Sequence, residues 1–335
     1  VVRTNRRRFC RLAIGMGGAA AFGALGWGWT AAGDSEPLTR TSAALGTRVS
    51  VTVVHPRRRV AERALDAAMA EIRRIDELMS LYRPDSQLAR LNRDRVVRRP
   101  HPDLVQVLRH AEQTSRETGG AFDVTVQPLW EVYAEARRSG HLPEASAVGE
   151  ARRRVDWRQV RVLPERIELL GREARVTLNG IAQGYAADCA VAALRRHGIE
   201  HALVDTGEVA SLGAKTRTEA WTVGIQHPRR EDGYAGLAAL AGRCLATSGD
   251  YATRFSEDYA HHHVFDPRTG RSPEAFASVT VAAPTACRAD ALSTALLVLA
   301  PAEGLRLVRS TPEVDALWIF KDGRTLATDG FPWEG

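Results

Sequence analysis

The chain has 335 residues, 44% apolar and 26% charged, which is enough apolar material for a full core and unlike a disordered or fibrous composition. Its formal charge is +6, yet Arg3, Arg6, Arg7, Arg8 and Arg11 all stand near the start, with no acid before Asp34. The excess belongs to that segment and not to a folded face, which argues against nucleic-acid binding through a basic surface.

Residues 5–11, N-R-R-R-F-C-R, precede a weakly hydrophobic run over 12–29 that contains six glycines, then the small residues Thr30, Ala31 and Ala32. The pattern resembles a twin-arginine export signal and predicts a leader over 1–33, a periplasmic mature protein and a single domain over 34–335. The alternative is a retained inner-membrane anchor, for which a run so rich in glycine is poorly suited. After the leader, Cys189, Cys244 and Cys287 form neither C-x-x-C nor an even framework. They read as small buried hydrophobes, with one bridge in an oxidising compartment as the alternative.

Residues 47–54 alternate as a strand. Ala64, Leu65, Ala68, Met69, Ile72, Ile75 and Met79 recur at helical spacing and predict a helix over about 60–80, stopped by Pro84, with Ser86 placed to cap the next turn. A second helix is predicted over 103–118, ending at Gly119-Gly120. The stretch 119–130, G-G-A-F-D-V-T-V-Q-P-L-W, reads as a short β run closed by Pro128, and 131–156 as surface loop and helix. Two strands joined through Gly171 are predicted over 160–178. They hand over at 179–188, N-G-I-A-Q-G-Y-A-A-D, to an Ala-rich helix ending at Gly198. Glycines at such a junction let unpaired helix N–H groups face an anion, although most such junctions bind nothing. Further strands are expected at 202–205, 221–225, 278–282 and 314–320, the last turning at K-D-G into 324–327. The expected class is α+β, a largely antiparallel sheet core with flanking helices. Strict β-α-β alternation, G-x-G-x-x-G and Walker sequences are all missing, which disfavours a dinucleotide-binding fold.

Asp290 and Thr294 stand four apart on a predicted helix, so a carboxylate and a hydroxyl share one side. Both are hard oxygen ligands of the kind Mg²⁺ accepts beside substrate phosphates; the alternative is an acid complementing a helix dipole and a packed threonine. His261, His262 and His263 are consecutive, so in an extended segment they alternate sides, which disfavours a zinc site. One of them as a general base is the functional reading, and a structural histidine is the other.

Read in order, A-L-G-T (44–47), L-Y-R-P-D-S-Q-L (81–88), T-G-G-A-F-D-V-T-V-Q-P-L (118–129), L-N-G-I-A-Q-G-Y-A-A-D (178–188), W-T-V-G-I-Q-H-P (221–228), T-S-G-D-Y (247–251), H-H-V-F-D-P-R-T-G (262–270) and the run over 277–295 resemble the FAD:protein FMN transferase (ApbE-like) family. The resemblance implies a T-fold-related α+β domain and an Mg²⁺-dependent enzyme. Such an enzyme splits the pyrophosphate of FAD, passes FMN to a Ser or Thr of a membrane or periplasmic electron-transfer protein, and releases AMP. It implies metal ligation by the Ala182 carbonyl, Asp290 and Thr294. Leu45, Tyr82, Ala121, Phe122, Asp123, Asn179, Tyr185 and Val264 would line the FAD site, with His263 as base. The leader suggests the exported branch associated with nitrous oxide reductase maturation. Gln183 stands where that family often has lysine, Leu45 where methionine is common, and D-T-G-E (205–208) replaces N-x-G-G. An FAD pyrophosphatase and a non-catalytic flavin carrier or assembly factor are the rival functions.

Overall fold

The computed structural model describes residues 36–216 and 218–334, with the backbone of Cys10–Arg11. The leader read over 1–33 lies, apart from that pair, outside the described residues. Eight helices are described: α1 (Arg58–Met79), α2 (Gln87–Asp94), α3 (Pro102–Glu117), α4 (Gln127–Arg138), α5 (Ala145–Arg152), α6 (Ala182–Arg196), α7 (Ala286–Val298) and α8 (Pro301–Ser310).

The centre is an eight-stranded sheet in the order Thr325–Ala327, Asp315–Phe320, Phe276–Ala283, Cys244–Gly249, Val209–Leu212, His201–Asp205, Thr47–Val54 and Leu38–Ala44, every pairing antiparallel. Neighbouring strand residues face opposite sides, and the core divides accordingly. Ala202 and Val204 pack with α1 and α6, while Leu203 between them packs with Val209, Leu245 and Leu317 against Trp221, Val223 and Leu240 of a second, four-stranded sheet. The molecule is therefore layered as helices, large sheet and small sheet. Helix α7 lies across Cys244–Gly249 and Phe276–Ala283, beside α6. The α+β, antiparallel expectation describes this architecture.

Helix α1 buries the predicted stripe, adding Ala61. Ser86 caps α2, its Oγ accepting from Ala89 N at 2.9 Å. Three expectations are corrected. Residues 122–126 form turns, not a strand, because Asp123 Oδ1 takes the Thr125 N–H at 2.7 Å, and Pro128 lies in the first turn of α4, where its missing N–H costs nothing. The strands Val160–Leu163 and Arg166–Leu169 join at Pro164-Glu165, ahead of Gly171. Residues 176–178 are extended but belong to no sheet. Asn92 serves as the partner strand, donating Nδ2 to Val176 O at 2.8 Å and accepting Val176 N–H at 2.7 Å, and Thr177 N–H donates to Val124 O at 2.7 Å.

A candidate active site between two helix N-termini

Helices α6 and α7 meet at their N-terminal turns. Asp188 of α6 accepts Ala286 N–H at 2.8 Å and Cys287 N–H at 2.9 Å, closing amides that the first turn of α7 leaves without intrahelical partners. In return Asp290 Oδ2 of α7 accepts Gly184 N–H at 3.0 Å. The helices approach so closely that a Cβ on Gly184 would collide with the Ala286 carbonyl, and one on Gly180 would stand 2.9 Å from Thr294 Oγ1. The glycines of the 179–188 stretch thus serve close packing against α7.

Above this contact is a cavity of about 140 Å³. Tyr82, Ala121, Phe122, Asp123, Asn179 and Val264 line it, as do His263, Asp290 and Thr294. Leu45, Ala182 and Tyr185 are not among its lining residues. Leu45 stands two residues before the lining Thr47, at φ 54°, in a two-residue hairpin turn whose second residue, Gly46, has φ 73°. Its N–H is held by Asp76 Oδ1 at 2.9 Å. Ala182 is the buried first residue of α6, beside the lining Gln183. Tyr185 is directed elsewhere, its hydroxyl donating to Asp103 Oδ1 at 2.9 Å and its ring 6.4 Å from that of His110.

Sequence reasoning did not single out Glu208, Thr247 or Ser248 as site residues, although it noted the D-T-G-E and T-S-G-D-Y motifs that contain them. All three line the cavity. Glu208 Oε2 accepts Thr247 N–H at 3.1 Å, and Ser248 Oγ lies 2.8 Å from Ser293 Oγ and 3.2 Å from Thr294 Oγ1. Gln183 is locked to the 205–208 loop, donating Nε2 to Thr206 O while its own carbonyl accepts the Thr206 hydroxyl, each at 2.9 Å.

The cavity's charge is one-sided. Asp123, Glu208 and Asp290 all line it and, among the described residues, no lysine or arginine does. Glu208 is 4% and Asp290 3% exposed. Burial pushes Asp123 up to about 6, against the opposing pull of Thr125 N–H and Oγ1 at 2.7 and 2.6 Å and Trp157 N–H at 2.9 Å. Buried carboxylates with hydroxyls beside them are hard oxygen donors of the kind that could hold a divalent cation, and Asp290, Glu208, Thr294 and Ser248 bring such groups to one cavity. His263 adds an imidazole to the lining, and its backbone N–H donates to Thr253 O at 3.0 Å. His262 is fully buried, with Nε2–H donating to Pro273 O at 3.1 Å, and burial lowers its pKa to about 3.

Fold and site define an α+β protein whose acidic, hydroxyl-lined cavity is closed by two helix N-termini. The chain belongs to the ApbE family, whose model matches residues 45–318. It is 32% identical to an FAD:protein FMN transferase of Treponema pallidum over 318 residues, 87% of each chain. It is 31% identical to one of Salmonella typhimurium over 266 residues, 76% of this chain and 75% of the relative. Among solved structures, the ApbE protein of Thermotoga maritima matches with a TM-score of 0.79 and 28% identity, covering 89% of this chain and 100% of that one. The flavinyl transferase ApbE of Pseudomonas stutzeri matches with a TM-score of 0.75 and 28% identity, covering 88% of this chain and 95% of its own.

Proposed function

We propose that the protein is an Mg²⁺-dependent FAD:protein FMN transferase that joins the FMN phosphate to a Ser or Thr hydroxyl of an electron-transfer protein and releases AMP. The observation that carries this reading is the cavity itself, lined among the described residues by three carboxylates and neighbouring hydroxyls but no lysine or arginine. A pyrophosphate enters such a site only with a cation, held in this reading by Asp290 and Thr294, one helical turn apart in the lining, together with the Ala182 carbonyl that the family resemblance implies. When bound, Mg²⁺ neutralises charge on the phosphates and orients them.

The chain's own residues supply the rest. Phe122, Val264 and the Tyr82 ring offer apolar surface for the flavin, and Asn179 a polar contact at the rim of α6. The His263 imidazole takes the proton of the acceptor hydroxyl as that oxygen bonds to the FMN phosphorus. The P–O bond to AMP breaks and AMP leaves as its phosphate, with no covalent enzyme intermediate. The sequence leader supports export by the twin-arginine route to a periplasmic acceptor.

The test incubates purified protein with FAD, Mg²⁺ and a candidate acceptor. Covalent flavin on the acceptor with matching AMP is the expected result. Free FMN formed without an acceptor would reassign the protein as an FAD pyrophosphatase, and tight FAD binding without turnover as a carrier.

A further inference from the structure

Beside the reaction cavity lies a larger groove of about 1180 Å³, walled by α4, the 226–231 turn and the 251–259 segment. The two meet along Tyr82, Trp130, Ala252 and Thr253, which line both. We propose that this groove docks an extended, acidic segment of the acceptor protein and delivers its hydroxyl to His263. The proposal rests on the transferase reading and names the partner chemistry that reading leaves open.

Continuity is the first support. Thr253 lines both groove and cavity, and its backbone carbonyl accepts the backbone N–H of His263 at 3.0 Å, so a chain lying in the groove leads into the cavity that His263 lines. Charge is the second. Among the described residues, Arg137 and Arg230 line the groove without an ion pair, and Arg254 lies over the Tyr259 ring, at 4.7 Å. The groove's walls carry six arginines and three glutamates, and of the glutamates Glu131 and Glu135 pair with Arg175 and Arg138. The groove is thus left with an excess of guanidinium groups, the groups that recognise acidic segments. The cavity beyond it carries the opposite sign. An acidic flank is held in the groove and turned away at the cavity, while an uncharged serine or threonine passes, so the sign change fixes the register of the segment.

The wall is also preformed. The Tyr259 ring lies between Arg229, at 3.9 Å, and Arg254, and Arg229 is gripped bidentately by fully buried Asp250 at 2.7 Å through both nitrogens. A groove already held in shape loses little conformational entropy on binding. Its volume exceeds the range of about 300–1,000 Å³ common for small-molecule pockets, which leaves room for a peptide beside a nucleotide.

The test uses the full chain with FAD, Mg²⁺ and three synthetic peptides, each with one central threonine flanked by aspartates, by asparagines or by lysines. For the wild type, the aspartate peptide is expected to show the lower KM and to lose that advantage at an ionic strength of about 0.5 M. An Arg137→Glu/Arg230→Glu double variant is expected to raise the KM for the aspartate peptide on the order of tenfold. Its kcat and its FAD affinity in the absence of peptide stay unchanged. A lysine-flanked peptide should then be a better substrate for the double variant than for the wild type, a reversal that misfolding cannot produce. Equal KM values for the aspartate and asparagine peptides in the wild type overturn the proposal. Weakened FAD binding by the double variant also overturns it, by giving the groove to the adenylate half of FAD. If the wild type flavinylates no peptide and no full-length acceptor, the transferase reading falls and takes the docking proposal with it.

Discussion

A carboxylate held out of water has its pKa raised, and the cavity contains one such group whose consequence is directly measurable. Asp123 sits at about 6, above its unfolded value near 3.8, so the folded state holds its proton more tightly. The stability this contributes is fully present below about pH 4 and lost as pH rises through 6, on the order of 2–3 kcal/mol. His262 has the opposite sign. Its folded pKa of about 3 lies below the unfolded 6.5, so its contribution is present above 6.5 and lost as pH falls toward 3. The two slopes oppose each other in the wild type, and single variants separate them. In thermal melts from pH 4 to 7, the stability of Asp123→Asn relative to wild type should rise with pH, and that of His262→Gln should fall; parallel curves for either would show that the group does not titrate between those states. Two further substitutions address the chemistry. Asp290→Asn should abolish cation-dependent turnover and the thermal shift caused by added Mg²⁺, and a retained shift would place the cation elsewhere. His263→Ala should lower kcat by about 10²–10⁴-fold with little change in FAD affinity.

At the scale of elements, the α6–α7 contact is where substitution should be felt most. Gly184→Ala places a methyl against the Ala286 carbonyl, and since backbone rather than a flexible side chain must give way, a loss of about 2 kcal/mol or more is expected in chemical denaturation. Thr285→Ala removes the α7 cap, whose Oγ1 accepts Arg288 N–H at 3.3 Å, and should cost about 1 kcal/mol. The elements most legible in the sequence were those carrying their own periodicity: the stripe of α1, the alternation of Thr47–Val54 and the K-D-G hairpin. Tyr234–Leu240 and Cys244–Gly249 escaped because their alanines, glycines and small polar residues have weak strand preference; ladders with neighbouring strands make them strands. Residues 122–126 misled for the reverse reason. Val124, Thr125 and Val126 favour a strand, but the Asp123 side chain takes the amide a ladder would need.

Across the whole molecule, one antiparallel sheet supplies residues to all three of the larger core clusters: Val204 to the first, Trp318 to the second and Leu245 to the third. No layer can separate without exposing another, so residues 34–335 are expected to unfold in one transition, with circular dichroism and fluorescence curves coincident; two resolved transitions would divide the chain. The same long-range pairing decided which site residues could be read in advance. Asp290 and Thr294 share a helix turn, and their relation is local. Glu208 and Ser248 are distant in sequence and approach only because Val209–Leu212 pairs with Cys244–Gly249, a relation no spacing encodes.

The reciprocal carboxylates of α6 and α7 also set a clock. The amides of Gly184, Ala286 and Cys287 end on carboxylate oxygens of the opposite helix, so none can exchange its proton for deuterium until the two helices part. These three should be among the slowest-exchanging amides in the molecule, while those of the 251–261 segment, outside any regular ladder, exchange early. A divalent cation drawn to Asp290 should slow them further, recording its arrival without any turnover at all.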